Sequence, residues 1–266
     1  MNLHEKVVIV TGAGGGGCGR AISRRLGREG CRVVVSDLDE AGAQETVRQI
    51  QNDGGRAVYV RCDVAREADL RALFEAAEQD FGGVDVVVNN AGPHLGGGPL
   101  DHWQETIETT LLGVMRGTLL GIEALRRRGG GAIVNFGSTS ALGHGRKHSP
   151  WPAYDIAKAG VMRLTTTLGW LGPKENIRVN CIVPAWVGTK EVSEYVASAT
   201  PAERAARGAP KTLITLDQIA DAIVWLITDE SLAGRLLVYW NDEPPRLIAA
   251  EDIGYAAAEE CRQLRV

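Results

Sequence analysis

The chain alternates short runs of β-branched residues with longer stretches in which apolar residues recur every three or four positions. The short runs carry Val and Ile at successive positions, which is typical of strands buried on both faces in a parallel sheet. The longer stretches have the period of amphipathic helices. Predicted strands cover residues 7–10, 32–36, 57–60, 84–88, 132–136, 178–183 and 235–239, and predicted helices cover 20–29, 40–52, 67–81, 103–127, 153–171 and 216–228.

This alternation predicts the fold class and the domain organisation. Strands and helices joined by short connections favour an α/β, Rossmann-like, doubly wound parallel sheet of about seven strands with helices on both faces. The sequence has no linker rich in Pro, Gly and Ser and no internal repeat, so we expect one domain over residues 1–266. We expect residues 190–211 to form helices inserted before the last helix and strand, where they would cover the substrate. We expect residues 241–266 to form a C-terminal extension that wraps the surface, contacts another subunit or covers the site.

Composition narrows the class of protein. With 266 residues, of which 44% are hydrophobic and 23% charged, the chain can bury a large core and is not disordered. A net charge of −4 does not favour nucleic acid or acidic membranes as partners. The apolar runs are too short to span a bilayer, and the first six residues lack a signal-peptide core. Five scattered cysteines form no CxxC pair and predict no disulfide framework, so we expect a cytoplasmic protein.

A glycine-rich turn follows the first predicted strand. Residues 11–19 are Thr-Gly-Ala-Gly-Gly-Gly-Gly-Cys-Gly and lead directly into a helix. The free N–H groups of a helix start attract anions, and glycine allows the pyrophosphate of a dinucleotide to approach the backbone. A merely flexible turn is the alternative, but the strand–helix context favours the dinucleotide. The candidate cofactor-binding residues of this turn are Gly12, Gly14, Gly17, Cys18 and Gly19.

An acidic residue ends the second predicted strand. Asp37 lies 18 residues after Gly19, where a carboxylate accepts hydrogen bonds from the adenosine ribose and repels a 2′-phosphate. The next residues, Leu38, Asp39 and Glu40, include no arginine that could receive that phosphate. We therefore expect NAD(H) as the cofactor and NADP(H) as the less favoured one. The alternative is that Asp37 only caps the following helix.

With four further motifs, the chain resembles the short-chain dehydrogenase/reductase family over residues 6 to about 240. The motifs lie at residues 62–64 (Cys-Asp-Val), 89–92 (Asn-Asn-Ala-Gly), 154–158 (Tyr-Asp-Ile-Ala-Lys) and 177–184 (Ile-Arg-Val-Asn-Cys-Ile-Val-Pro). The resemblance implies an oxidoreductase that transfers a hydride between nicotinamide and a secondary alcohol or ketone. It also implies cofactor contacts from Leu38, Asp63, Val64, Asn90, Ala91, Gly92, Pro184, Val187 and Thr189, with Thr189 at the nicotinamide carboxamide.

The candidate catalytic residues are a tyrosine, a lysine and a serine. Tyr154 and Lys158 are four residues apart in a helical pattern and share one face. A cation one turn away favours the phenolate and lowers the ordinary tyrosine pKa of roughly 10. By resemblance, Tyr154 is the acid–base group, Lys158 tunes it and holds the nicotinamide ribose, and Ser138 positions the substrate oxygen. Ser140 remains an alternative to Ser138.

Four places depart from the family pattern. The glycine turn carries one extra residue, and Thr110 stands where many members have the asparagine of a catalytic tetrad. The gap of 16 residues between Ser138 and Tyr154 is long, which predicts an extra loop over residues 143–152. Residues 184–185 are Pro-Ala instead of Pro-Gly, and residues 240–242 are Trp-Asn-Asp instead of Asp-Gly-Gly.

Other side chains could contact the substrate, and the alternative is that the histidines among them are solvated loop residues. His94, His144 and His148 fall in predicted loops at the ligand-binding edge, but their spacing does not match a metal site, and none is expected. Trp151 and Trp186 flank the same edge and could face a substrate ring.

Two rival functions stay open at this point. One is a dehydratase, epimerase or isomerase on the same scaffold, which uses Tyr154 without net redox chemistry. The other is a cofactor-binding regulatory protein, which the intact tyrosine–lysine pair disfavours. The resemblance also implies a homotetramer or homodimer, with a small-molecule alcohol or carbonyl compound as substrate.

Overall fold

The computed structural model describes residues 1–93, 98, 100–142 and 149–248. Its strands coincide with the predicted apolar runs, and β1, β5 and β6 are buried along their whole length. One further strand, of two residues, was not predicted. The strands are β1 (Val7–Thr11), β2 (Arg32–Asp37), β3 (Arg56–Arg61), β4 (Val86–Asn89), β5 (Gly131–Phe136), β6 (Ile177–Pro184), β7 (Leu236–Tyr239) and β8 (Arg246–Leu247).

The strands form one sheet in the order β3-β2-β1-β4-β5-β6-β7-β8. Each pair from β3 to β7 is parallel, and β8 pairs antiparallel with β7. The predicted α/β, doubly wound fold is therefore confirmed, with eight strands in place of about seven. Because the strand order reverses between β1 and β4, a crevice opens at their carboxyl ends, which is where such sheets bind ligands.

Helices cover both faces of the sheet. Along β1, Val8 and Val10 pack into one buried cluster and Val7 and Ile9 into another, as alternation across a strand requires. The first cluster includes residues of the helices α1, α2 and α10, and the second includes α3 and α5. The helices are α1 (Cys18–Arg28), α2 (Glu40–Asn52), α3 (Glu67–Phe81), α4 (Trp103–Ile107), α5 (Gly113–Arg128), α6 (Pro152–Thr167), α7 (Leu171–Glu175), α8 (Lys190–Ser198), α9 (Pro201–Arg207) and α10 (Leu216–Thr228).

Two predicted helices are divided in the structure. The helix predicted over residues 103–127 consists of α4, a π-helical turn at Glu108–Leu112 and α5. The helix predicted over residues 153–171 ends at Thr167, and α7 begins separately at Leu171. The insertion predicted over residues 190–211 contains α8 and α9, joined by a short turn.

Candidate active site

The crevice between β1 and β4 brings two predicted cofactor segments into contact. Asn90 donates from Nδ2 to the carbonyl oxygens of Thr11 and Gly12, both at 2.9 Å. The backbone N–H groups of Asn90 and Ala91 donate to Thr11 Oγ1. Gly12 has φ +68°, and a Cβ there would lie 2.7 Å from Ala91 Cα, so only glycine fits this close approach. The two segments therefore form one rigid floor at the start of the glycine turn.

The glycine turn, residues 12–19, offers backbone to a ligand over its second half. Among the described residues, a Cβ on Gly15 would meet nothing within 4 Å, and one on Gly17 would meet only Thr189 Cγ2, at 3.6 Å. The helix α1 begins at Cys18, and no side chain caps its first turn. Free N–H groups at a helix start, beside an open glycine backbone, are the donor set that a dinucleotide diphosphate requires. The residues present therefore fit the expected cofactor.

Asp37 keeps acceptor capacity for a ribose. Its Oδ2 accepts the N–H of Gly14 at 2.6 Å, and its Oδ1 accepts the N–H of Asp39 at 2.9 Å. A carboxylate has about four lone-pair positions, so each oxygen can accept one more hydrogen bond. Capping of α2 belongs to Asp39, whose side chain accepts the N–H of Gly42. The alternative that Asp37 is only a cap is therefore wrong, while its ribose contact stays a prediction.

The predicted adenine segment follows β3. Asp63 Oδ1 accepts the N–H of Ala65 at 3.0 Å, which turns the chain toward α3. Val64 is buried, and a Cβ on Gly113 would lie 3.0 Å from its carbonyl oxygen, so the start of α5 packs closely on this segment. Leu38, at the end of β2, is 52% exposed and is free to contact a ligand.

The three main catalytic candidates lie together where β5 and α6 meet. Ser138 follows β5 and accepts the N–H of Ser140 at 3.2 Å, which starts a short 3₁₀ turn at Thr139–Ala141. Tyr154 and Lys158 lie one turn apart on α6, with Lys158 Nζ 5.5 Å from the centre of the tyrosine ring. Lys158 is 4% exposed, and its Nζ donates to the carbonyl oxygen of Phe136 at 2.7 Å.

Burial shifts the two titratable groups in opposite directions. Desolvation raises the pKa of Tyr154 to about 12, although a hydrogen bond with Ser138 opposes the rise. Desolvation lowers the pKa of Lys158 to about 8. Both shifts favour the neutral forms. The expectation that Lys158 lowers the pKa of Tyr154 is therefore wrong for this structure, in which burial raises that pKa and the opposing effect comes from the Ser138 hydrogen bond.

The two serines are not equivalent. Their hydroxyl oxygens are 3.0 Å apart, so they share a hydrogen bond. Ser138 additionally influences the pKa of Tyr154 through a hydrogen bond. This geometry favours Ser138 as the serine that acts with the tyrosine, and it makes Ser140 a neighbour that orients the Ser138 hydroxyl.

Thr110 lies on the π-helical turn and is fully buried. Its Oγ1 has no hydrogen-bond partner among the residues that the structure describes. Buried polar groups are rarely left unpaired, and π-helical turns occur frequently at functional sites. The position that the sequence singled out as a tetrad member is therefore unusual in both its backbone and its side chain.

The predicted nicotinamide segment, residues 184–189, is held from the side. The N–H of Gly188 donates to the carbonyl oxygen of Ile214 at 2.8 Å, and the N–H of Ile214 donates to that of Trp186 at 3.0 Å. Asn241 adds three hydrogen bonds: its Oδ1 accepts from the N–H of Trp186, and its Nδ2 donates to the carbonyl oxygens of Trp186 and Thr212. The segment is thus fixed to the chain before α10 and to the end of β7.

Residues 184–189 form an aromatic cluster with the two helices that follow them, α8 and α9. Trp186 stacks on Tyr195 of α8 with ring centres 6.0 Å apart, and the Arg207 guanidinium of α9 lies 4.8 Å from the Tyr195 ring centre. Trp151 precedes α6 and is half-buried.

Two residues of this region were missed in the sequence. Asn241 was noted only as part of an unusual terminus, and its contacts span 55 residues of sequence. Arg20, whose contacts are described below, was noted only as the start of a helix. The replacement of Asp-Gly-Gly by Trp-Asn-Asp at residues 240–242 was the sequence feature that could have pointed to Asn241.

Some expectations lie outside the described residues. His94, His144 and His148 belong to this group, as does most of the extra loop predicted over residues 143–152. Across the described ranges, no cluster of His, Cys, Asp and Glu side chains could hold a metal ion. In those same ranges no helix has the length and apolar character needed to cross a membrane.

Comparisons with known proteins agree with this geometry. The family described as short chain dehydrogenase matches residues 6–199. The chain is 37% identical over 245 residues to 3β-hydroxysteroid dehydrogenase 1 of Eggerthella lenta, covering 86% of this chain and 89% of that protein. It is 37% identical over 234 residues to cis-4-hydroxycyclohexanecarboxylate dehydrogenase of Sinomonas cyclohexanicum, covering 85% and 90%.

A solved structure is also similar. This is 7α-hydroxysteroid dehydrogenase complexed with NADH and 7-oxo glycochenodeoxycholic acid. The TM-score is 0.77 at 29% sequence identity, with 89% of this chain and 94% of that chain covered.

Proposed function

The chain belongs to the short-chain dehydrogenase family of oxidoreductases, and from this membership we propose that it oxidises a secondary alcohol or reduces the corresponding ketone with NAD(H). The observation that carries the proposal is the meeting of Ser138, Tyr154 and Lys158 at the carboxyl end of β5. A regulatory protein without activity would not need this arrangement.

The proposed roles are those that the family resemblance implies, and the contacts among Ser138, Tyr154 and Lys158 support them. When bound, the dinucleotide would supply a nicotinamide ring able to accept the hydride of the carbinol carbon. Tyr154 is neutral without the cofactor, and its phenolate would be favoured by the positive nicotinamide ring of NAD⁺. The phenolate oxygen would then take the proton of the substrate hydroxyl, so that the alcohol loses one hydride and one proton and becomes a carbonyl compound. Ser138 holds the substrate oxygen beside the phenol, and Lys158 holds the nicotinamide ribose. Thr110 stands in the position of the usual asparagine and would replace its role in the proton path only in part. In the reduction direction each transfer is reversed.

The preference for NAD(H) is supported by charge. Asp37 ends β2, where its carboxylate would repel a 2′-phosphate, and the residues that follow it, Asp39 and Glu40, are also acidic. Two unit charges about 4 Å apart repel by roughly 4 kcal/mol at the effective dielectric of a protein surface. The family uses both NAD(H) and NADP(H), and this acidic corner favours the cofactor without the extra phosphate.

For the substrate we propose a secondary alcohol on a saturated ring. The two curated relatives are named for a hydroxysteroid and a hydroxycyclohexanecarboxylate, and the solved neighbour holds a steroid acid. Trp186 and Tyr195 offer aromatic surface where residues 190–211 would cover such a ring. Apolar rings bury well against aromatic side chains.

The test combines binding with turnover. NADH and NADPH are titrated separately by nucleotide fluorescence, and NAD⁺ reduction is followed at 340 nm with a series of cyclic alcohols, including cyclohexanol and 3β-hydroxysteroids. We expect tighter binding of NADH and net NADH formation with at least one alcohol. Tyr154→Phe should keep NADH binding and lower kcat by at least about 100-fold, since the proton acceptor is lost.

Two results would count against the proposal. Turnover of Tyr154→Phe at the wild-type rate would remove the tyrosine from the chemistry. Conversion of a cyclic substrate without net formation of NADH would favour a dehydratase, epimerase or isomerase.

A further inference from the structure

We propose that Arg20 is a positioning residue, which holds the enlarged glycine turn against Asp37 and so prepares it to bind the dinucleotide. This inference rests on the proposed function, because it concerns the same cofactor. It explains how a turn with one residue more than the family spacing can still have a defined conformation.

Arg20 binds three groups on two elements. Its Nη2 donates to the carbonyl oxygens of Gly14, at 2.6 Å, and Gly42, at 3.0 Å. Its Nε donates to Thr46 Oγ1 at 2.9 Å, and that hydroxyl donates in turn to the carbonyl oxygen of Ala13 at 2.7 Å. The side chain therefore ties the first half of the turn to the first two turns of α2.

Asp37 holds the same residue from the opposite side. The N–H of Gly14 donates to Asp37 Oδ2 at 2.6 Å, while the carbonyl oxygen of Gly14 accepts from Arg20. Gly14 is thus held by a carboxylate at its N–H and by a guanidinium at its carbonyl. A Cβ on Gly14 would lie 2.8 Å from Asp37 Cγ, and a Cβ on Gly42 would collide with the carbonyl oxygen of Gly14. Both contacts need glycine.

The remainder of the turn has no such support. In the part of the chain that the structure describes, a Cβ on Gly15 would meet nothing within 4 Å, and one on Gly16 would meet only Arg20 Nη1, at 4.0 Å. Glycine loses more backbone entropy on ordering than any other residue. If this segment is ordered only when the nucleotide binds, affinity is reduced by that entropy. Fixing Gly14 in advance shortens the segment that remains to be ordered.

A direct contact of Arg20 with a 2′-phosphate is the competing explanation. The two explanations require different nitrogens of the Arg20 guanidinium. Arg20 already uses Nε and Nη2 for protein acceptors, so only Nη1 remains for a phosphate among its three nitrogens. Positioning should affect NADH and NADPH alike, whereas a phosphate contact should affect NADPH alone.

The experiment compares Arg20→Gln and Arg20→Lys with the wild type and with Arg24→Gln. Arg24 lies one turn further along α1 and pairs with Asp53, so its substitution removes the same charge without touching Gly14. We expect Arg20→Gln to raise the Kd of NADH about tenfold, which is the scale of one charge-assisted hydrogen bond, and to leave kcat at saturating NAD⁺ within about twofold. Arg20→Lys should recover part of the affinity, and Arg24→Gln should match the wild type.

Amide hydrogen exchange in the protein without nucleotide tests the same contact independently of binding. Arg20→Gln should speed exchange of the Gly14 N–H, because its partner Asp37 no longer holds a fixed peptide. Unchanged exchange and unchanged NADH affinity would overturn the proposal, and a loss confined to NADPH would assign Arg20 to the 2′-phosphate. If the wild type binds neither nucleotide, the proposed function fails, while the exchange result still decides whether Arg20 fixes the turn.

Discussion

Replacing Thr110 with valine should make the protein more stable and less active. Thr110 is fully buried, and its hydroxyl has no hydrogen-bond partner among the described residues. A buried, unpaired polar group costs about 1–3 kcal/mol, and valine has nearly the same shape without that group. We therefore expect Thr110→Val to raise the free energy of unfolding by about 1 kcal/mol, or Tm by about 3 °C for a chain of this size. If the hydroxyl supports proton transfer near Lys158, kcat should fall about tenfold.

Thr118→Val is the matched control for this change. Thr118 is also fully buried, but its Oγ1 accepts from Asn89 Nδ2 at 3.2 Å and lies 3.3 Å from Asn135 Oδ1. The same substitution should there lower stability by about 1–3 kcal/mol, because it leaves polar partners unsatisfied. Urea unfolding with constant slope measures both variants. Destabilisation by Thr110→Val would show that its hydroxyl has a buried partner, and full activity would remove Thr110 from the proposed proton path.

Three further predictions concern the cofactor and its surroundings. Asp37→Ala should reduce the ratio of the NADPH Kd to the NADH Kd by at least about tenfold, since it removes the nearest charge that repels the 2′-phosphate. The same ratio in the variant and the wild type would refute the ribose contact. Burial lowers the pKa of Lys158 to about 8, so above that pH the unfolded chain binds more protons than the folded one. The free energy of unfolding of the wild type relative to Lys158→Met should therefore rise from about pH 8 up to the ordinary pKa of lysine. A difference between the two proteins that does not change with pH in urea titrations would contradict the shift. Asn241→Ala should raise KM for NAD⁺ about tenfold, because it removes two hydrogen bonds to Trp186 and one to Thr212. An unchanged KM in steady-state kinetics would show that Asn241 has no part in positioning.

The sheet could be predicted from the sequence because its signal is local. Buried parallel strands need apolar residues on both faces, and β1, β5 and β6 show this as uninterrupted burial. Strand β8 was missed because two residues, Arg246 and Leu247, have no periodicity to detect. Its pairing with β7 depends on a turn that local pattern does not specify.

The π-helical turn at Glu108–Leu112 could not be predicted either, because it also leaves no distinct local pattern in the sequence. The spacing of apolar residues over 103–127 is compatible with one continuous helix. A change from i→i+4 to i→i+5 hydrogen bonds shifts the positions of the side chains around the helix only after the π-helical turn, so the apolar pattern before it is unaffected. Only the mismatch of Thr110 with the usual asparagine marked the position in advance. The backbone and the side chain thus depart from the common pattern at the same residue.

The residues missing from the sequence-based site share a dependence on distant partners. Asn241 fixes Trp186 across 55 positions, and Arg20 contacts Gly42 across 22. Such hydrogen bonds form between loops at the carboxyl edge of the sheet, where each loop is free to vary while the strands are not. A sequence can lengthen the glycine turn or replace the last glycines and still build the site, provided that a new side chain, such as Arg20 or Asn241, holds the altered loop. Departures from a family motif are therefore the places to look for the side chain that compensates for them.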